Sequence, residues 1–582
     1  MKIFYVGSNN AAQQKHLAEA DDVLLLLYDR WDDFGYKTRF PTTCRIGGKN
    51  VELGALRILF PDQYNSHTYL SGQREKGWDG SLPLDGVSYV SVPEELTFYE
   101  QLIDLLPEGS ALDVASKLRD ASFFAHVVQD AEALALIKAP GFHTSLQRER
   151  SSQNSFADGW RLLSGTAPDV TDLSFSFRDP MGELSRFHLN FASVSLLPRD
   201  INVIIGPNGV GKTSLLRQMV KSWIQPVAGH PALDGAGFEP RPSLSQLVAV
   251  SYSPFEQMPV DTDDEPSLKQ PLKDKDIYRF FGFRGRQPSQ KTGRPMSIRH
   301  SLGVPKANAA RSLVQCLTDD IRYSTIKAWA NKLRTLQRVF GSAIVFDVAA
   351  VRLRTDAPIG EIVENDPFEE VQFFEVEEVD ELGEAQISRY LAIAPGVTAI
   401  NIPALLRHID LEGGVTFFHN GSPLHLSSGQ RLFFYIVVNI LGVIRRNSLV
   451  IVDEPELFLH PSLEVQFVSM LKQILRTYDS KALLATHSAA TVREVPSDCV
   501  HVFEATDDGL VIKTPPFETF GGDVQRIASY VFGDRAVSKP YEAWLRDLLK
   551  EHGTAANVID ALGNELNEEI IIQLHAMERG KW

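Results

Sequence analysis

Residues Gly206–Thr213 read GPNGVGKT and stand between an apolar run, INVIIG, and a stretch with helical spacing, TSLLRQMVKSWI. They match G-x-x-x-x-G-K-[ST] in the strand, loop and helix setting that gives such a match its meaning. Glycines are needed there because the backbone must curl around phosphate oxygens with its N–H groups pointing inward, and a β-carbon would block that approach. The phosphate-holding residues expected from this stretch are Gly206, Pro207, Asn208, Gly209, Val210, Gly211, Lys212, Thr213 and Ser214. Lys212 is expected to bridge the β- and γ-phosphates and Thr213 to ligate Mg2+. The helix beginning at Ser214 turns the positive end of its dipole towards the anion.

Three more apolar runs lie downstream: LVAVSYSPF (247–255), SLVIVDEP (448–455) and KALLATHS (481–488). Buried parallel strands read as such continuous runs. The second ends in two carboxylates. Asp453 is expected to hold Mg2+ through water, and Glu454 to polarise the water that attacks the γ-phosphate. Alone, an apolar run ending in Asp-Glu is more often a strand followed by a solvated turn; its partnership with GPNGVGKT reverses that preference. His487 closes the third run, where an imidazole can hydrogen-bond a γ-phosphate and report its presence. LSSGQ, Leu426–Gln430, precedes the carboxylate run and opens an apolar helical stretch, RLFFYIVVNILGVI. A helix start with small residues offers unpaired N–H groups to an anion.

With these residues in this order, the sequence resembles the ABC-type ATPase superfamily, whose signature LSGGQ opens a helix. Here Ser428 replaces the usual first glycine. The resemblance implies an α/β fold, an ATPase head with a mixed sheet and flanking helices, and ATP and Mg2+ as cofactors. It implies two ATP molecules sandwiched in a homodimer or higher oligomer, each between one chain's P-loop and the other's Ser427, Ser428, Gly429 and Gln430. Lys212, Glu454 and His487 would carry the hydrolysis. The family's Q-loop glutamine, a ligand for metal and water, falls on Gln257 or on Gln246. The segment ELFLHPSL, with His460 and Pro461, is similar to the D-loop of the SMC, RecF and OLD-type subgroup. The resemblance covers 165–257 and 410–505. A second match, LSGQ at Leu70–Gln73, has no carboxylate strand behind it and is discounted.

Around this core, 1–160 reads as an N-terminal α+β domain: short strands to about residue 80, then helical spacing from Val92 to Ala139. Gln147–Asp158, rich in Ser, Arg and Asn without periodicity, reads as a linker. The head is divided into 161–259 and 411–515 by an insertion at 260–410, expected to be helical, and 516–582 forms a C-terminal extension in which 518–534 reads as strand, turn and helix. Within the insertion, 269–311 holds eleven Lys/Arg and two Asp with aromatics interleaved in YRFFGFRGR, and 361–384 holds eleven Asp/Glu and no Lys/Arg. Such blocks are ordinarily solvated faces. The sharper reading of the basic one is contact with nucleic-acid phosphates, and the acidic one pairs with it or with a basic partner.

A net charge of −16 leaves only such local patches to argue for nucleic acid. The three cysteines, Cys44, Cys316 and Cys499, lie too far apart for a CxxC clamp or a disulfide framework, which suits a reducing cytosol. No run of ~18 apolar residues exists to span a bilayer, so the expectation is a soluble, cytoplasmic protein without membrane contact. No long heptad arm or CxxC hook suggests an SMC-type hook protein, and no Toprim-like acidic arrangement follows His487.

Given a head without nuclease chemistry in cis, the layout is most similar to PtuA-like ATPases of Septu and retron antiphage systems. That resemblance implies a low-turnover ATPase that controls a separately encoded HNH-type nuclease, with a retron reverse transcriptase and its RNA/DNA as further partners. The alternative is a RecF-like DNA-binding ATPase of repair or replication.

Overall fold

The computed structural model describes residues 1–582 except 20, 167–169, 193–195, 225–234, 262–276, 289–294, 325, 327–328, 365–370, 380–384, 508, 533–539 and 581–582. The described chain forms two compact units, Met1–Gly521 and Gly522–Trp582.

At the centre of the larger unit lies a seven-stranded sheet. Its spatial order is Tyr278–Phe281, Gln246–Ser251, Ser448–Asp453, Lys481–Thr486, Ile201–Ile205, Val500–Thr506 and Gly509–Lys513. Neighbours pair in parallel except for the final hairpin. The central strands are buried except for the half-buried Lys481, as a parallel sheet covered on both faces requires. Helices Lys212–Ile224, Ser428–Val443 and Pro461–Thr477 each bury an apolar face. A small sheet of Gly237–Phe238, Asp172–Arg178 and Leu184–Asn190 adds Phe175, Phe177 and Phe187 to the same core. The molecule is thus an α/β P-loop head, as the sequence led us to expect.

The N-terminal layer is a second seven-stranded sheet, parallel between Lys2–Gly7 and Val23–Leu27 and otherwise antiparallel. The discounted LSGQ lies inside its helix Ser66–Glu75. The expected linker is instead part of a helix, Arg150–Leu163. Its serines serve close packing: Ser151, Ser152, Ser155 and Gly159 are buried, and a β-carbon on Gly159 would stand 2.5 Å from the Tyr99 ring. Asp158 on the same helix accepts from Ser243 Oγ of the head at 2.9 Å. Small polar residues therefore mark a tight docking face here, not a tether.

The insertion is only partly helical. Helices Gly303–Arg322 and Lys332–Phe340 meet the helical expectation. The insertion also supplies the edge strand Tyr278–Phe281 of the head sheet, a hairpin of Arg284–Pro288 with Pro295–His300, and most of a five-stranded antiparallel sheet. Part of the acidic run lies in strand Phe373–Val379, where Glu375 and Glu377 share the exposed face and Glu378 lies on the other face with Phe374 and Val376. Glu375 and Glu378 pair with Arg389 and Arg352 of that sheet, not with the basic block. Parts of both charged blocks, 269–276, 289–294, 365–370 and 380–384, lie outside the described residues.

The unit Gly522–Trp582 holds helix Val524–Phe532 and three helices, Pro540–His552, Ala555–Leu562 and Glu568–Glu578, that pack around Leu545, Ala555, Val558 and Leu574. The strand expected near 518 is absent among the described residues. No helix among the described residues is long and apolar enough to cross a membrane.

Candidate nucleotide site

Strand Ile201–Ile205 delivers the loop Gly206–Gly211 to the carboxyl edge of the sheet, and helix Lys212–Ile224 departs from it. Two glycines are sterically required. A β-carbon at Gly206 would meet the Phe503 carbonyl oxygen at 2.3 Å, and Gly211 has φ +98° with Pro180 packed against it. Lys212 Nζ donates to the carbonyls of Gly206 and Pro207 at 2.9 and 3.0 Å and approaches His487 Nε2 at 2.9 Å. Burial pushes the lysine down to about 8, against the pull of Glu454, Asp453 and Glu456. Ser214 accepts from Gln218 one turn along the helix. Asn208 and Gly209 are exposed on the loop, whereas Val210 is buried beneath it.

Parallel register brings the metal-binding groups together. Thr213 Oγ1 donates to Asp453 Oδ1 at 3.1 Å, and Ser251 Oγ reaches Asp453 Oδ2 at 3.4 Å. Asp453 is 2% exposed, and burial together with the neighbouring Glu454 charge pushes its carboxyl up to about 7. A buried carboxylate with raised proton affinity beside a hydroxyl is a hard-oxygen donor set that fits Mg2+. Bound there, the ion would supply charge neutralisation for the β- and γ-phosphates. Gln257 is not gathered into this group by any hydrogen bond: it is exposed, and its Oε1 accepts from Arg217 at 2.6 Å. Gln246 pairs with Ser448 at the opposite end of the strand from the Ser251–Asp453 pair, so it fits the Q-loop role no better.

Glu454 leaves the strand in a left-handed conformation, φ +49° and ψ +56°. A non-glycine residue there carries on the order of 1–3 kcal/mol of strain, of the kind active sites hold. Its Oε1 lies 3.8 Å from His487 Nε2. Burial, then the Lys212 charge, lower the histidine's pKa despite Glu454, so the ring is neutral and Nε2 accepts from lysine. Two further carboxylates hold the histidine loop: His487 N–H donates to Glu456 Oε1, and Ser488 Oγ donates to Glu464 Oε2, each at 2.5 Å. Sequence reasoning missed Ser251, Glu456 and Glu464. Ser251 becomes recognisable only through its register with Asp453.

Ser427 caps helix Ser428–Val443 in a reciprocal box. Its Oγ accepts from Gln430 N–H at 3.3 Å, and Gln430 Oε1 accepts from Ser427 N–H at 3.0 Å. Ser427 and Ser428 are exposed, and Gly429 and Gln430 half-buried. Among the described residues no hydrogen bond or ion pair joins 427–430 to 206–214.

Part of the basic block is structural. Arg284 pairs with the buried Glu256 at 2.5 Å, and Arg286 pairs with the buried Asp261. Tyr278, Phe280, Phe281 and Phe283 are buried, which removes these rings from stacking on a nucleic acid.

Residues 268–493, which take in the signature, the carboxylate strand and His487, match the family described as "AAA domain, putative AbiEii toxin, Type IV TA system". The chain carries a P-loop ATPase domain. It is similar to Protein ea59 of Escherichia phage lambda, with 23% identity over 514 residues that cover 87% of this chain and 85% of that protein. Among solved structures it is similar to the SMC head domain from Thermotoga maritima, at 9% identity and a TM-score of 0.24, covering 59% of this chain and 98% of that one.

Proposed function

We propose that the chain binds and hydrolyses ATP between two copies of itself, Glu454 acting as the base, and that this cycle controls a separately encoded effector nuclease in defence against phage. The observation that carries the first part is the convergence of Lys212, His487 and Glu454 beside Thr213 and Asp453, while the signature helix start stands exposed and unattached to that group. A P-loop alone positions the attacking water and the transition-state charge poorly, and a second copy's helix start completes the electrostatics. The nuclease part rests on the resemblance of layout to PtuA-like ATPases. The toxin-system description of the matched family and the relative in phage lambda support a place in phage–host conflict. A RecF-like grip on duplex through 269–311 is the weaker reading, because the aromatics interleaved in that block, Tyr278, Phe280, Phe281 and Phe283, are buried and cannot stack on bases.

Complementation tests the shared site. Lys212→Ala and Ser427→Arg should each abolish hydrolysis. Mixed, they form one intact pairing, the P-loop of the second with the signature of the first, so activity should return in part. Failure to recover activity in a mixture shown to form heterodimers would overturn the two-copy arrangement. Purification of the native complex in ATP should carry a nuclease subunit with it; its absence would remove the effector reading and leave the ATPase intact.

A further inference from the structure

A cavity of about 440 Å3 lies away from the P-loop, between the edge strand Tyr278–Phe281 and helix Gly303–Arg322. Arg279, Arg284, Arg286 and Arg311 line it, and Asp261 is the one acidic residue of that lining among the described residues. Arg284 and Arg286 are held in place by Glu256 and Asp261, which orients their guanidinium groups without neutralising the whole cluster. Arg311 has no ion-pair partner among the described residues. Phe280, Leu406 and Val443 supply apolar wall. Preoriented planar guanidinium groups match phosphate oxygens in geometry and charge, and a cavity of this volume, with polar and apolar residues in about equal share on its wall, is in the size range of small-molecule sites. The enclosure is too small for a duplex. The cavity is linked to both parts of the nucleotide site through segments that border it. Glu256 and Asp261 lie on the segment that follows Ser251, and Ser312 in its lining bonds Asn439 of the signature helix at 2.9 Å.

We propose that this cavity is a second anion site, separate from the P-loop, that takes a phosphorylated small molecule of nucleotide size. The inference does not depend on hydrolysis, so it stands or falls apart from the ATPase reading. Its test uses the full chain with Lys212→Ala, which weakens the P-loop, titrated by calorimetry with ATP, AMP and pyrophosphate. At least one of these should bind with one site per chain. Adding Arg311→Ala should weaken that binding about tenfold or more, the scale of one charge-assisted hydrogen bond. Arg311→Glu should weaken it further, with the melting temperature unchanged in both. Arg311→Ala alone should leave ATP hydrolysis at its natural rate. No binding to Lys212→Ala, or binding indifferent to both Arg311 variants, would overturn the assignment. So would binding confined to a single-stranded oligonucleotide, since the occupant would then be nucleic acid.

Discussion

The ammonium of Lys212 lies 2.9 Å from Nε2 of His487, although 275 positions separate the two in sequence. The lysine begins the helix after the P-loop, and the histidine follows a neighbouring parallel strand. The neutral imidazole is an acceptor for the group that must also bind phosphate. Under the proposed function, a γ-phosphate held by the loop would compete for that ammonium, and the released imidazole would report the third phosphate.

Glu454→Gln keeps the size and polarity of the side chain but removes its basicity. Hydrolysis should fall by ~10²–10⁴-fold, the usual contribution of a general base, and ATP with Mg2+ should then hold two chains together. Light scattering after gel filtration in ATP reads the pairing. Undiminished hydrolysis would take the base role from Glu454.

Glu456 holds the backbone N–H of His487, and burial pushes its carboxyl up. Glu456→Gln retains an acceptor oxygen and should leave kcat within about threefold of the natural chain. Glu456→Ala leaves that N–H without its partner and should lower kcat by roughly tenfold, the equivalent of one hydrogen bond, with KM little changed. Equal behaviour of the two variants would show that the carboxylate does not position the histidine.

His501 is buried beside the P-loop strand, with Nε2 2.8 Å from Asn202 Oδ1, and burial lowers its pKa to about 4. Between pH 6.5 and about 4 the unfolded chain takes up a proton that the folded chain refuses, so stability falls as pH drops through that window. Above pH 6.5 the histidine adds no pH dependence. The contribution is roughly 3 kcal/mol. His501→Gln keeps a donor for Asn202 and should flatten the acid side of the stability profile by about that amount, measured by urea unfolding. Parallel profiles for the two chains would contradict the assignment.

Gly159 faces the Tyr99 ring, whose hydroxyl donates to the buried Asp120 at 2.8 Å. The ring is fixed, so Gly159→Ala should overpack the docking face and destabilise the larger unit by about 1–3 kcal/mol. The same substitution in a solvated linker would cost almost nothing, and an unchanged unfolding midpoint would restore the linker reading.

The sequence by itself determined the strand, loop and helix at Gly206–Thr213, the carboxylate strand, the strand ahead of His487 and the helix opening at Ser427. Each of these is specified by a few adjacent residues whose backbone or side chains do one local job. The same local logic failed at Gln147–Asp158, where small polar residues suit a mobile link and a close helix contact equally well. It failed again at YRFFGFRGR, where alternating rings and arginines became a buried edge strand and a set of ion pairs. Only the tertiary structure decided that Ser251 lies across from Asp453, that Glu456 holds His487, and that Gln257 is engaged by Arg217. These are consequences of strand register and of which elements pack together. They depend on residues distant in the chain, so no short stretch of sequence records them.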